Sequence, residues 1–240
     1  MMECNLNCKN CLKKLCTHSI PIFASLEYAQ LEKIANLTVH RTYEKGGSIT
    51  AEGEGFDFVA ILHGGSAKAH KTTPDGREQI LYVFSAGDFF GERNLISGKK
   101  ADYGITALEP VELCMLYKDD FKKIMVQNPD ISIRIIEELG ERLSHLENAV
   151  QNIGVRSLES RLAAALLELA AKYGRDGAGG LTINMPLSRE GLANYIGTAR
   201  ETVSRKLGAL EDDGIIHSEG ARSIVVADRK ALEQLAGIYS

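Results

Sequence analysis

Hydrophobic residues in this sequence change their spacing near residue 131, and that change demands a chain built in two different ways. Between about Leu26 and Leu116, short stretches rich in β-branched and aromatic residues recur: Ser48 to Ala51, Phe58 to Leu62, Ser66 to His70, Gln79 to Phe84 and Val111 to Tyr117. Turn formers punctuate them at Glu52-Gly53-Glu54-Gly55, His63-Gly64-Gly65, Thr73-Pro74-Asp75-Gly76, Ala86-Gly87-Asp88 and Ser97-Gly98. Strands this short and this closely spaced predict an antiparallel barrel or roll.

From about Ile131 the period becomes helical. Ile136, Leu139, Leu143, Leu146, Val150 and Ile153 follow one another at spacings of 3 and 4, which puts all six on one narrow stripe. Such a stripe is either the seam of a coiled coil or the inner face of an ordinary amphipathic helix. Glu137, Glu138, Glu141, Arg142 and Glu147 keep the remaining faces polar, which favours a seam between two copies of the chain. A second helix is expected from about Ser157 to Tyr173, carrying Leu162, Leu166, Leu167 and Leu169, followed by a glycine-rich break from Gly174 to Gly180.

Pro186 to Gly214 holds the most specific local pattern. Ser188 opens a short helix that runs to Ile196 and stops at Gly197, a residue that tolerates the positive φ of a tight helix end. Thr198 is expected to start the next helix, with Glu201 three residues on in capping-box position. Helix, glycine turn, helix is the signature of a helix-turn-helix. Val203 and Leu207 would face inward, leaving Arg200, Glu201, Ser204 and Arg205 outward on the first turns of the second helix. These side chains suit the major groove: arginine offers guanine two parallel donors, and a carboxylate accepts from the cytosine amino group. The competing reading is a solvated, salt-bridged face in which Glu201 merely caps. Ile215 to His217 and Ser223 to Val226 read as a hairpin around Gly220, a wing from which Lys206 and Arg222 could reach phosphates.

With 240 residues the chain has room for two domains. The formal net charge of −4 speaks mildly against nucleic acid, yet residues 155 to 240 carry 11 basic and 11 acidic side chains, so the deficit lies upstream. No apolar run approaches the ~18 residues that cross a bilayer, and Met1 to Ser19 is too polar and cysteine-rich for a secretory leader. A cytoplasmic protein without membrane attachment is expected. Cys4, Cys8, Cys11 and Cys16 crowd the first 16 residues, while Cys114 stands alone. In a reducing compartment such clusters bind metal or sense redox state more often than they form structural disulfides.

Taken together the motifs resemble the CRP/FNR superfamily of regulators over nearly the whole length. The resemblance implies an α+β chain: a Cys-rich segment at 1–19, an antiparallel β-roll of the cyclic-nucleotide-binding kind at 20–130, a dimerisation helix at 131–154 and a winged helix-turn-helix at 155–240. Arg200-Glu201-Thr202-Val203-Ser204-Arg205 is similar to the family's recognition-helix motif. That likeness implies base reading by Glu201 and Arg205. Ser204 matches the oxygen-sensing FNR branch and Arg200 the nucleotide-binding branch, so TTGAT-like and TGTGA-like half-sites both stand. Implied partners are palindromic double-stranded DNA, a second copy of the chain and RNA polymerase.

Gly91-Glu92-Arg93-Asn94-Leu95 retains part of the family's cyclic-nucleotide cassette. The Arg-Ser pair that should follow is replaced by Lys99-Lys100-Ala101-Asp102-Tyr103. An arginine fork holds a cyclic phosphate bidentately, whereas Asp102 would repel it, so cyclic AMP is disfavoured. Lys99 or Lys100 could still offer a point charge to another anionic effector, and Gly91 and Glu92 are expected to be structural. The cysteines resemble the FNR branch instead. By that resemblance Cys8, Cys11, Cys16 and Cys114 would ligate a [4Fe-4S] cluster, with Cys4 spare and the Cys11 to Cys16 spacing one residue different from the best-known members. Four thiolates suit such a cluster and equally a closed zinc site, and a disulfide switch or a buried, inert Cys114 are further alternatives. No His-x-x-His pair, phosphate loop or Gly-x-Ser-x-Gly elbow points to an enzyme. A cysteine-rich electron carrier and a regulator gated by an anionic effector in the roll remain the rival classes.

Overall fold

A computed structural model describes residue 23 and residues 26–55, 57–155, 157–177, 180–220 and 222–237. The chain divides into two compact units. Residues up to Lys68 with Phe84–Ser144 form one; Ala69–Val83 and the residues from His145 onward form the other.

Helix α1 (Tyr28–Leu37) opens the first unit, inside a stretch read from sequence as β-rich. It is held at its start by reciprocal hydrogen bonding between Glu27 and Gln30, and it buries Leu31 and Ile34. Strands β1 (Val39–Tyr43), β2 (Ser48–Thr50), β3 (Phe58–Gly64), β4 (Ala67–Thr72), β5 (Glu78–Phe84) and β6 (Phe89–Phe90) follow, then helix α2 (Glu92–Ser97), β7 (Gly104–Ala107) and β8 (Val111–Tyr117). They form two four-stranded sheets of order β1-β8-β3-β6 and β2-β7-β4-β5. Around β8 the pairing is antiparallel on both sides, with His40 and Ile61 opposite Cys114. The expected antiparallel roll is therefore present. Gly65 shows why the turn between β3 and β4 needs glycine: its φ is 83°, and a Cβ there would collide with the Pro110 carbonyl.

Helices α3 (Lys118–Gln127) and α4 (Pro129–Val155) pack Phe121, Ile124, Ile131 and Ile135 against Phe23, Leu31, Val59, Phe89 and Leu116 of the same core. Helix α4 starts at Pro129, where proline's missing N–H costs nothing because the first turn has no partner for it.

In the second unit α5 (Leu158–Tyr173) is capped by the Ser157 hydroxyl, which accepts from the Ser160 amide. Its buried Leu162, Leu166 and Leu169 carry the core. The glycine-rich stretch expected to be a break contains β9 (Gly174–Gly177) and β10 (Gly180–Asn184), paired antiparallel. β10 also pairs with β12 (Ser223–Val226), and β12 with β11 (Ile216–Ser218), giving the order β11-β12-β10-β9. Helices α6 (Arg189–Ile196), α7 (Arg200–Asp212) and α8 (Arg229–Leu235) complete the unit. Among the described residues no helix is long and apolar enough to cross a membrane.

Candidate nucleic-acid interface and sensory residues

Helices α6 and α7 form the helix-turn-helix that the glycine pattern predicts. Ser188 caps α6 by accepting from the Gly191 amide at 3.0 Å, and Gly197 ends it with φ 72° and ψ 51°. The second helix begins later than expected. The Thr198 amide donates back to the Ala193 carbonyl and so belongs to the turn; Ala199 is the cap residue, its carbonyl accepting from Thr202 and Val203. Glu201 is consequently the second residue of α7 rather than the partner in a capping box. A carboxylate there complements the positive end of the helix.

Val203, Leu207 and Leu210 are buried, which turns the opposite face outward. Arg200, Glu201 and Arg205 are exposed and Ser204 is half-buried. None of the three exposed charges enters an ion pair among the described residues, in contrast to the salt-bridged face considered above. Lys206 is committed elsewhere, its Nζ lying 3.5 Å from Glu159 Oε2. The wing is the β11–β12 hairpin, with exposed Arg222 beside it. Arg161 braces the motif from α5 by donating to the Ile196 carbonyl at 2.9 Å, and the Tyr195 hydroxyl donates to Glu168 at 2.6 Å. Burial and the Glu168 carboxylate push the Tyr195 hydroxyl well above the ordinary tyrosine range, so it stays a donor.

On α4, Ile136, Leu143 and Leu146 are exposed, as is Ile133, while Leu139 is partly buried against the core of the roll. The side chains of Val150 and Ile153 lie outside those described. The described part of the stripe therefore faces two ways: Leu139 leans on the roll, and Ile136, Leu143 and Leu146 point to solvent.

Cys114 is buried in the core cluster of the roll at 7% exposure. Its Sγ lies 3.4 Å from His40 Nδ1 on the neighbouring strand β1. Burial first, then the nearby His63, hold the His40 imidazole below its usual pKa and favour its neutral form. Cys4, Cys8, Cys11 and Cys16 lie outside the described residues. Among the described residues no group of three or more His, Cys, Asp or Glu side chains could hold a metal ion. A soft thiol in an apolar wall can supply one corner of a thiolate-bound centre, so Cys114 fits as a single ligand.

Sequence reading missed one constellation. Glu92, 2% exposed, receives Arg142 Nη1 at 2.8 Å. Arg142 Nη2 donates to the Phe89 carbonyl at 2.6 Å and Nε to Glu138 at 3.1 Å. The guanidinium lies 4.9 Å from the Phe89 ring centroid and 5.7 Å from that of Phe84. Arg93 pairs with Asp102 and sits 5.5 Å from the Tyr103 ring centroid, so the aspartate has a cation of its own. Burial pushes the Tyr103 hydroxyl up to about 12.

A β-roll and a winged helix-turn-helix in one chain define a class: DNA-binding transcription regulators. Residues 40–128 match the cyclic nucleotide-binding domain family, and residues 160–235 the Crp-like helix-turn-helix domain family. The chain belongs to the CRP/FNR superfamily. It is 30% identical over 180 residues to the global nitrogen regulator of Nostoc sp., covering 74% of this chain and 81% of the relative. It is 28% identical over 220 residues to the transcriptional activator protein FnrL of Cereibacter sphaeroides, covering 90% and 88%. The structure of FixK2 from Bradyrhizobium japonicum superimposes with a TM-score of 0.76 at 27% identity, covering 85% of this chain and 99% of FixK2. This is a family of transcription regulators, not enzymes.

Proposed function

We propose that this regulator binds a palindromic duplex as a homodimer, and that a [4Fe-4S] cluster on Cys8, Cys11, Cys16 and Cys114 gates that binding. One observation carries the DNA-reading part: Arg200, Glu201 and Arg205 stand exposed on the first two turns of α7 without ion-pair partners among the described residues. Two half-sites need two recognition helices held at a fixed distance, and the exposed Ile133, Ile136, Leu143 and Leu146 supply an apolar seam on α4 for a second copy.

Cys114 supports the gating part because, among the described residues, it is the one thiol built into the roll's core. When bound, the cluster supplies an oxidisable, oxygen-labile inorganic group. The chain's own residues do the rest: thiolates near its beginning, once tied to β8, link that beginning to the core against which α3 and α4 pack. Loss of the tie shifts the dimer equilibrium, for which a few kcal/mol suffices. The likeness to an activator such as FnrL agrees with this reading, and RNA polymerase is the further partner that activation implies.

Zinc is the second reading, favoured by the imidazole beside Cys114, since mixed sulfur and nitrogen donors suit that ion. An anionic effector in the roll is disfavoured, because Arg142 already answers Glu92 and Arg93 answers Asp102. Purification without oxygen, analysed for iron, sulfide and zinc, decides between the metals. Titration of palindromic duplexes before and after air exposure then tests the gate. Iron-free protein with undiminished operator affinity would eliminate the cluster reading.

A further inference from the structure

Helix α4 has two faces, and one arginine joins them. Counting back from Arg142 at roughly 100° per residue, Ile131 and Ile135 lie within about 20° of it, whereas Ile136 and Leu143 lie roughly 100–120° away. Ile131 and Ile135 are buried at 0% and 1% exposure, and Ile136 and Leu143 are exposed at 67% and 57%. Arg142 thus continues the stripe that faces the roll, two turns beyond the last buried isoleucine. At that height the roll presents polar groups, the Glu92 carboxylate and the Phe89 carbonyl, which aliphatic side chains cannot satisfy.

We propose that Arg142 is a built-in ligand of the roll, whose guanidinium on Glu92 and Phe89 fixes the rotation of α4 and thereby presents Ile136 and Leu143 to a second copy of this chain. It is a positioning residue for dimerisation, and the inference rests on the reading of α4 as the seam. Each of the three guanidinium nitrogens donates: Nη1 to Glu92, Nη2 to the Phe89 carbonyl and Nε to Glu138. The aromatic rings of Phe84 and Phe89 confine the guanidinium plane. Such an anchor resists rotation of the helix, because a turn about its axis would break both bonds to the roll at once, while the Glu138 bond lies within α4 and only steadies the side chain. A lysine would supply a point charge without the fork. The second carboxylate oxygen of Glu92, Oε2, is buried with no hydrogen-bond partner among the described residues, so Glu92 depends on Arg142 for its compensation.

Sedimentation of the 240-residue chain, prepared without oxygen, tests this against Arg142→Ala, Arg142→Lys and Glu92→Gln. The dimer dissociation constant of Arg142→Ala should rise roughly tenfold or more. Millimolar ethylguanidinium should restore dimerisation of Arg142→Ala while leaving wild type and the double variant Glu92→Gln/Arg142→Ala unchanged. Arg142→Lys should recover the charge but not the dimer. A loss of packing alone would lower the melting temperature without being rescued by the free cation. A dimeric wild type whose Arg142→Ala form has the same dissociation constant, or one that ethylguanidinium fails to restore, overturns the proposal. If Arg142→Ala does not fold, Glu92→Gln is judged in its place: weaker dimerisation at a preserved melting temperature supports the anchor, and unchanged dimerisation overturns it. A monomeric wild type at concentrations that saturate operator DNA overturns the seam itself, and the anchor with it.

Discussion

Arg205 and Glu201 stand one helical turn apart on the exposed face of α7, and their chemistry differs from that of Lys206 beside them. An arginine fork that reads a guanine discriminates by ~1–3 kcal/mol, so Arg205→Ala should lower operator affinity by about that amount and relax preference at a single base pair. Competition binding against duplexes altered one pair at a time measures both effects. Lys206 is tied to Glu159, and Lys206→Ala should weaken all duplexes alike and only slightly. At Glu92 burial raises the carboxyl's pKa, while Arg142 and Arg93 lower it and Glu138 raises it. The folded chain therefore holds this proton to higher pH than the unfolded chain does. Between the unfolded glutamate's value near ~4.3 and the folded value, the folded state binds more protons, and Glu92's contribution to stability falls as pH rises. Arg142→Met removes the strongest opposing influence, so its melting temperature should fall more steeply between mildly acidic and neutral pH than that of wild type. At neutral pH the broken pair should cost ~3–5 kcal/mol in denaturant unfolding, since both groups are largely out of water.

Among the elements, the turn between α6 and α7 and the exposed face of α4 allow the sharpest tests. Gly197 has a positive φ, and a Cβ there would meet nothing closer than Gln79 Oε1 at 3.7 Å. Space is available, so Gly197→Ala should cost only the backbone strain, ~1–2 kcal/mol in thermal unfolding. On α4, Leu143→Asp should leave the monomer folded and abolish the dimer, read by sedimentation, because Leu143 contributes nothing to the roll's core. These elements were legible in sequence because each carries a local signal: a glycine stop, a 3-4 repeat, a serine cap. Strand β1 was not, for its central three residues are exposed and it forms only by pairing with β8. The β9–β10 hairpin was hidden for a related reason. Its glycines signal a break, yet the pairing of β10 with β12 makes a strand of it.

For the whole molecule, the decisive variant is Cys114→Ser, prepared without oxygen. Under the proposed function it should lose most of its iron and lose operator affinity together, as measured by metal analysis and duplex titration on the same preparation. Retention of both would separate Cys114 from the gate and leave it a buried apolar filler among Leu116, Val59 and Phe121. Its neighbour His40 became visible only through strand pairing, since 74 residues separate the two in sequence.

Local pattern by itself determined the roll-like strand content, the long helix, the helix-turn-helix and its outward side chains, because turns, caps and periodicity act over a few residues. Tertiary structure alone decided what Arg142 does. In sequence it is one more charge on a polar face; in the fold it lies 2.8 Å from a buried carboxylate 50 residues away. A side chain's partner across that distance is chosen by packing, and no local rule encodes it.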